Sequence, residues 1–222
     1  MKRRSFLAAG LAAGFLCVSA GAQEVQPQPI SVGIVFDTSQ SMGGKLKYSR
    51  QVLERFLKAA HKGDEFLLLL TDDRPHFATG FSFDTKDILD LLAFVRSRGR
   101  SALYDTIHLA VHEMKAAANS RRCLLVISDG ANNQSHYTKG DVENSAREAR
   151  VEIYTVGVYE SVEGRGRSPE ENSGPRTLLD LAERTGGKHY VADVSLGKLL
   201  DVGVEVSDAM HGFRMKQLAF AR

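Results

Sequence analysis

The chain has 222 residues, of which 43% are hydrophobic and 25% are charged, as expected for one large globular domain with a substantial core. Its formal charge of +2 includes the three basic residues at positions 2–4. Without them 26 basic residues (29 minus 3) face 27 acidic ones, a balance of −1. No basic face is evident, so we expect no nucleic-acid partner. Only one cysteine, Cys123, lies outside the first 22 residues, so we expect it to be a buried small hydrophobe without a disulfide partner.

Residues 1–22 are predicted to be an export signal. The basic start precedes an apolar run from Phe6 to about Val18, and Ala20-Gly21-Ala22 fits a small-x-small cleavage site. The Arg3-Arg4 pair also resembles a twin-arginine signal, with a Sec signal as the alternative. We therefore expect a mature protein that begins at Gln23 and is periplasmic or secreted. We expect no stable membrane anchor, because a spanning helix needs about 20 apolar residues.

After a polar leader over 23–29, predicted strands and helices alternate along the chain. Apolar, partly β-branched runs predict buried strands at 32–36, 66–70, 123–128, 151–158 and 189–192. Helical periodicity predicts helices at 45–61, from Asp84-Thr85 to about 95, after Asp105 to about 118, and at 139–150, 176–185 and 196–210.

Two segments depart from this alternation. Residues 75–83 alternate loosely and predict an edge strand that returns antiparallel. Residues 160–175 are rich in Gly, Glu, Arg and Ser and predict a long loop. The sequence thus predicts an α/β fold, a doubly wound and mostly parallel six-stranded sheet with one antiparallel edge strand and helices on both faces. We expect one domain over 30–211 and a tail of uncertain structure over 212–222.

Small oxygen-bearing side chains follow the first predicted strand. The run ISVGIVF over 30–36 ends in Asp37, and Ser39 and Ser41 follow at alternate positions. Open α/β sheets bind ligands at the carboxyl ends of their strands. Carboxylate and hydroxyl oxygens are hard donors that suit Mg²⁺, Mn²⁺ or Ca²⁺ better than zinc. The alternative is that the same residues simply cap the next helix.

Two later motifs favour the metal site. Gly99-Arg100-Ser101-Ala102-Leu103-Tyr104-Asp105 supplies a hydroxyl in a loop before a helix, and Asp129-Gly130 ends a hydrophobic strand. Taken in order with Asp-x-Ser-x-Ser, these motifs resemble the von Willebrand factor type A domain and its metal-ion-dependent adhesion site. The resemblance covers roughly residues 30–192. The stretch LYDTIHLAV and the export signal look most like the secreted bacterial branch of that family.

The resemblance implies a role for each residue of the motifs. Ser39 and Ser41 would bind the ion directly, whereas Asp37 and Asp129 would act through water or through hydrogen bonds to ligating groups. Ser101 stands where the family usually has Thr, and Gln40 where it often has Gly. The resemblance further implies Mg²⁺, with Mn²⁺ or Ca²⁺ as alternatives. An open coordination position on the ion would accept an acidic side chain from a protein partner, and the module would not be an enzyme.

Three other interpretations stand beside this one. The domain could be structural or serve assembly, with a weak or vestigial metal site. An aspartyl-phosphate phosphatase with Asp37 as nucleophile needs a second acid two residues later, where this chain has Ser39. His108 and His112 share a helix face but lack the His-Glu-x-x-His pattern, so we expect a surface or half-buried pair.

The predicted loop over 160–175 gives a further hypothesis. Its strand, 151–158, should run parallel to the strand that ends at Asp37, since helices connect the strands. The loop would then leave the sheet at the metal edge. Two interpretations are open: the loop is a solvated insertion without a role in binding, or it forms one wall of the partner-binding surface.

Overall fold

The computed structural model describes residues 28–159, 169–193 and 199–212, and within these ranges the chain forms six strands and six α-helices. The strands are β1 (Ile30–Asp37), β2 (Glu65–Thr71), β3 (Pro75–Ser82), β4 (Arg121–Ser128), β5 (Glu152–Tyr159) and β6 (His189–Asp193). The helices are α1 (Leu46–Lys58), α2 (Thr85–Phe94), α3 (Leu103–Glu113), α4 (Lys139–Ala149), α5 (Pro169–Thr185) and α6 (Leu199–Met210).

The strands form one sheet in the order β3-β2-β1-β4-β5-β6. Strand β1 lies between β2 and β4 and runs parallel to both. Strands β5 and β6 continue the parallel arrangement, and β3 is the antiparallel edge strand beside β2. The predicted fold class is therefore confirmed. In this topology the carboxyl ends of β1, β2 and β4 meet at one edge of the sheet, which we call the carboxyl edge.

Two hydrophobic cores cover the two faces of the sheet. Every residue of β1 is buried, and its side chains alternate between the faces because successive strand residues point in opposite directions. Val32, Ile34 and Phe36 pack in the core formed with α1, α2 and α6. Val35 packs in the core formed with α3, α4 and α5. Cys123 belongs to the first core and is fully buried, as predicted.

Helix α6 packs closely on α1 in the first core. A Cβ atom at Gly203 would lie 2.4 Å from the carbonyl oxygen of Val52 and 2.8 Å from the backbone nitrogen of Phe56. Glycine is therefore what lets the two helix backbones approach here. The hydroxyl of Ser207 donates to the carbonyl oxygen of Ala59 at 3.2 Å, one step past the end of α1.

The structure corrects two of the predicted boundaries. Helix α3 begins at Leu103, before Asp105, and ends in a 3₁₀ turn over Met114–Ala116. Helix α5 begins at Pro169, so the prediction of a loop is wrong for residues 169–175. Gly174 and Pro175, which fall in the predicted loop, both lie inside α5.

Some predictions fall on residues outside the described ranges. These are the export signal at 1–22, most of the polar leader, residues 160–168 of the predicted loop, and residues 213–222. The domain boundaries consequently stay predictions. Of the helices in the described ranges, none combines the length and the apolar character that crossing a membrane requires.

Candidate metal centre

Asp37 ends the central strand at the carboxyl edge and is fully buried. Its Oδ1 accepts the backbone N–H of Ser39 at 2.9 Å. Its Oδ2 accepts the hydroxyl of Ser128, the last residue of β4, at 2.5 Å. That hydroxyl oxygen in turn accepts the backbone N–H of Gly130 at 2.8 Å. The Asp37 carboxylate therefore links the end of β1 to the end of β4.

Ser39 and Ser41 lie beside this carboxylate, in and before a short 3₁₀ turn over Gln40–Met42. Their hydroxyl oxygens are 3.2 Å apart. Ser39 occupies the N-cap position of the turn, but its side chain makes no capping hydrogen bond, and α1 has Lys45 at its N-cap. The helix-capping interpretation is therefore wrong, and the two hydroxyls remain as a pair at the carboxyl edge.

Ser101 reaches the same edge on a loop between α2 and α3. The backbone N–H of Arg98 donates to the carbonyl of Thr38 at 2.8 Å, and the N–H of Gln40 donates to the carbonyl of Gly99 at 3.0 Å. These bonds fix the loop against the residues that follow β1. The Ser101 hydroxyl is buried and has no hydrogen-bond partner among the residues that the structure describes. A buried hydroxyl without a hydrogen-bond partner destabilises the folded state, and a cation at this edge would give the Ser101 hydroxyl a partner.

Asp129 follows β4 and pairs with a lysine that the sequence analysis did not single out. Its Oδ1 accepts the N–H of Ala131 at 3.0 Å, and its Oδ2 lies 2.5 Å from Nζ of Lys45. The Lys45 side chain is 12% exposed and that of Asp129 is 3% exposed. One sequence signal could have drawn attention to Lys45, because a cation at a helix N-terminus opposes the helix dipole and needs a compensating partner.

The start of α5 lies against the loop that carries Asp129. A Cβ atom at Gly174 would fall 2.2 Å from the carbonyl oxygen of Asp129. Gly130 adopts a φ of +81°, in the region that favours glycine. Two glycines thus allow the helix to pass close to the site. This contact explains why Gly174, which resembles a helix breaker in the sequence, lies within α5.

The electrostatics at this edge reflect two neighbouring carboxylates. Burial, and after it the negative charge of Asp129, raises the pKa of Asp37 to about 7, against the hydrogen bonds from Ser128 and Ser39 that favour the carboxylate. The single ammonium group of Lys45 pairs with Asp129 rather than with Asp37. Additional positive charge at this edge would therefore stabilise the ionised form of Asp37.

The donor set fits a hard divalent cation. The residues that could hold it are those predicted from the sequence, namely Asp37, Ser39, Ser41, Ser101 and Asp129. They supply only hydroxyl and carboxylate oxygens, as Mg²⁺ and Ca²⁺ prefer. The phosphatase alternative gains no support, because both carboxylate oxygens of Asp37 accept hydrogen bonds and the side chain is fully buried.

The histidine pair in α3 forms no comparable site. His108 is half-buried and stacks on Tyr137, with ring centroids 3.9 Å apart. His112 is exposed. This agrees with the expectation of a surface or half-buried pair.

Comparisons with known proteins agree with the fold. Residues 32–132 match the family model of the von Willebrand factor type A domain. A protein of Borreliella burgdorferi is 27% identical over 178 residues, which cover 71% of this chain and 52% of that protein. The chain therefore spans about half the length of this curated relative.

Two solved structures share the fold at low sequence identity. An aerotolerance-related membrane protein from Bacteroides fragilis NCTC 9343 is 14% identical with a TM-score of 0.67, over 82% of this chain and 99% of that one. Proximal thread matrix protein 1 from the mussel byssus, described with a zinc-occupied MIDAS motif, is 18% identical with a TM-score of 0.62. That match covers 82% of this chain and 46% of the mussel chain.

The fold and the family match together define the class of this molecule, a doubly wound α/β domain with an oxygen-rich carboxyl edge. Over residues 32–132, a little under half of its length, the chain is similar to the von Willebrand factor type A domain family.

The raised pKa of Asp37 predicts a pH-dependent stability in the presence of a chelator. The folded state holds the Asp37 proton more tightly than the unfolded state, and this tighter proton binding stabilises the fold. The stabilisation is fully present at low pH and is lost as the pH rises toward 7. Asp37→Asn removes the titration. We expect its advantage in free energy of unfolding over the parent to grow by about 2 kcal/mol between pH 5 and pH 8.

Urea unfolding at several pH values measures this difference. Asp87→Asn, a substitution of an exposed carboxylate in α2, is the matched control and should show no such growth. A difference between Asp37→Asn and parent that stays constant from pH 5 to pH 8 would contradict the electrostatic account.

Proposed function

We propose that this protein is an exported, non-enzymatic binding module that holds Mg²⁺ at the carboxyl edge and captures a protein partner through an acidic side chain. The observation that carries the proposal is the buried Ser101 hydroxyl, which lacks a hydrogen-bond partner among the described residues and lies on a loop fixed against Thr38 and Gln40. Such a group needs a partner, and a cation bound by the neighbouring serines would provide one.

Each residue has a distinct part in this proposal. Ser39, Ser41 and Ser101 would bind the ion through their hydroxyls, and Asp37 and Asp129 would hold the water molecules and hydroxyls around it. When bound, Mg²⁺ supplies a positive centre that keeps several waters and exchanges one for an outside ligand. Because few carboxylates bind the ion directly, it keeps excess positive charge that favours an acidic side chain.

Lys45 would compete with the cation for Asp129. Its ammonium group is 2.5 Å from the Asp129 carboxylate. A cation that binds at the carboxyl edge would therefore find part of the negative charge already neutralised by Lys45. An ammonium group has three donors and no open coordination position, and therefore cannot recruit an acidic partner as Mg²⁺ can. Lys45 would thus set the Mg²⁺ concentration at which the site becomes able to bind an acidic partner.

The location of the protein belongs to the same proposal. The predicted export signal at 1–22 would deliver the domain to the periplasm or outside the cell, by the Sec or the twin-arginine route. N-terminal sequencing of the protein from those fractions should give Gln23. Recovery of the chain with Met1 intact would contradict export by cleavage at this site.

Millimolar Mg²⁺ should raise the melting temperature of the full chain, and Ser101→Ala should lose most of that rise, because it removes the hydroxyl proposed to bind the ion. Calorimetric titration with Mg²⁺ measures the affinity directly. Ser120→Ala, at an exposed serine outside the site, should respond like the parent. Equal Mg²⁺ affinity of Ser101→Ala and the parent would show that the site is wrongly assigned.

Lys45→Met should have opposite effects on stability and on Mg²⁺ affinity. It keeps the aliphatic stem but leaves Asp129 without its counter-ion, so the metal-free protein should melt at a lower temperature. Removal of the competing charge should raise Mg²⁺ affinity about tenfold, corresponding to about 1.4 kcal/mol. Weaker Mg²⁺ binding by Lys45→Met would mean that the lysine supports the metal site rather than competing for it.

Partner capture is tested with the immobilised full chain and an envelope extract from the cells that produce it. Proteins retained in Mg²⁺ should be released by a chelator, and an extract whose carboxyl groups have been amidated should give no capture. Ser101→Ala should capture less than Ser120→Ala. Capture that survives both the chelator and amidation would contradict binding through an acidic side chain.

A second candidate function is a structural or assembly domain with a vestigial metal site. The Lys45–Asp129 ion pair favours it, since a lysine that satisfies the edge by itself makes a cation unnecessary. In that case Mg²⁺ would shift neither the melting temperature nor partner capture, in the parent or in Lys45→Met.

A further inference from the structure

We propose that His61, Asp64 and His211 form a second cation site, specific for a borderline divalent cation such as Zn²⁺, at the end of the sheet opposite Asp37. One ring nitrogen from each histidine and one carboxylate oxygen of Asp64 lie within 4.8 Å of one another. The proposal is independent of the proposed function, because it shares no residue with the candidate Mg²⁺ site.

The cluster lies where three segments of the chain meet. His61 follows α1, Asp64 immediately precedes β2, and His211 immediately follows α6. The Asp64 carboxylate accepts the backbone N–H of Ile30, the first residue of β1, at 2.9 Å. An eight-residue strand spans about 23 Å, so the cluster is separated from the carboxyl edge by the length of β1.

Backbone groups hold the Asp64 carboxylate in place. Besides the bond from Ile30, its Oδ2 accepts the N–H of His61 at 2.7 Å. Nε2 of His211 lies 3.1 Å from Oδ2 and 3.3 Å from Oδ1. The side chains of Asp64 and His211 are each 1% exposed. The carboxylate is thus fixed, shielded from solvent and directed at an imidazole nitrogen.

The orientation of the His211 ring also suits a ligand. Its Nδ1 lies 2.8 Å from the carbonyl oxygen of Ser207. A carbonyl oxygen can only accept, so Nδ1 donates to it, and Nε2 is the nitrogen that faces Asp64. The Asp64 carboxylate also only accepts, so without a cation Nε2 donates a proton to it, and a bound cation would take the place of that proton. Metal-binding histidines usually donate their second ring N–H to such a carbonyl or carboxylate. The rings of His61 and His211 lie together, with centroids 3.9 Å apart and planes 38° apart.

The chemistry of the three ligands selects the cation. Two imidazoles and one carboxylate form a set that Zn²⁺ uses when a water completes its tetrahedral coordination, whereas Mg²⁺ prefers oxygen ligands. Tetrahedral zinc ligands at about 2.1 Å from the ion lie about 3.4 Å from each other. The Asp64–His211 separations of 3.1 and 3.3 Å are close to this value. All three ligand atoms lie within 4.8 Å of one another, so a rotation of the His61 side chain would complete the site.

The bound cation would join the end of α6 to the loop between α1 and β2. This junction already contains the Ser207–Ala59 hydrogen bond and the close approach of Gly203 to α1. Binding to the folded state alone stabilises it in proportion to the logarithm of ligand concentration. Thermal unfolding therefore reports on occupancy.

The test uses the full chain without a polyhistidine tag and in the Asp37→Asn background, which disables the candidate Mg²⁺ site. We expect calorimetric titration to give one equivalent of bound Zn²⁺, and we expect Zn²⁺ but not Mg²⁺ to raise the melting temperature by several degrees. Adding His211→Gln or His61→Gln should abolish both effects. Adding His112→Gln, at an exposed histidine, should abolish neither.

Co²⁺ supplies a second measurement that does not depend on stability. In the Asp37→Asn background it should give the visible ligand-field bands of a four-coordinate nitrogen–oxygen site, and His61→Gln should remove them. Failure of Asp37→Asn to bind Zn²⁺, or binding that persists unchanged in both histidine variants, would overturn the proposal. In that case Asp64 and His211 would form only an ion pair, and His61 would pack beside it.

Discussion

The burial of the Asp37 carboxylate is the constraint on which the carboxyl edge depends. A carboxylate at the end of a central strand loses its hydration, and the protein replaces water with the Ser39 N–H and the Ser128 hydroxyl. Asp129 then adds a second negative charge beside the first. Lys45 neutralises one of the two. One negative charge therefore remains uncompensated at this edge. Burial of Asp37, and after it the charge of Asp129, raises the pKa of Asp37.

The sheet could be predicted from the sequence because its central strands are buried on both faces. Such strands are continuous apolar runs, and their polar ends mark the edge where Asp37 and Asp129 lie. The start of α5 could not be predicted in this way. Gly174 and Pro175 have poor intrinsic helix propensity, but tertiary contact decides here, since only a residue without a Cβ atom fits against the Asp129 carbonyl.

Side-chain pairs between residues far apart in the sequence could not be predicted from local sequence patterns either. Lys45 and Asp129 are 84 positions apart, and His211 and Asp64 are 147 positions apart. The spacing rules that identify ligands in short motifs do not extend over such separations. The Asp-x-Ser-x-Ser motif was recognisable because three of its oxygens lie within five residues, whereas the histidine cluster becomes visible only when α6 packs on α1.

The two ends of the sheet differ in the chemistry of their donors, and this difference gives each proposed site its own selectivity. The candidate ligands at the carboxyl edge are all oxygens, and a hard cation with exchangeable water would serve there to recruit a partner from solvent. Imidazole nitrogens dominate the opposite end, where the side chains of Asp64 and His211 are almost wholly buried. A cation there would meet no partner and could act only on the packing of α6. Because Mg²⁺ prefers oxygen ligands, it can be used to load the carboxyl edge without the histidine cluster. Zn²⁺ also binds oxygen ligands, so it reports on the histidine cluster alone only where the carboxyl edge has been disabled, as in Asp37→Asn.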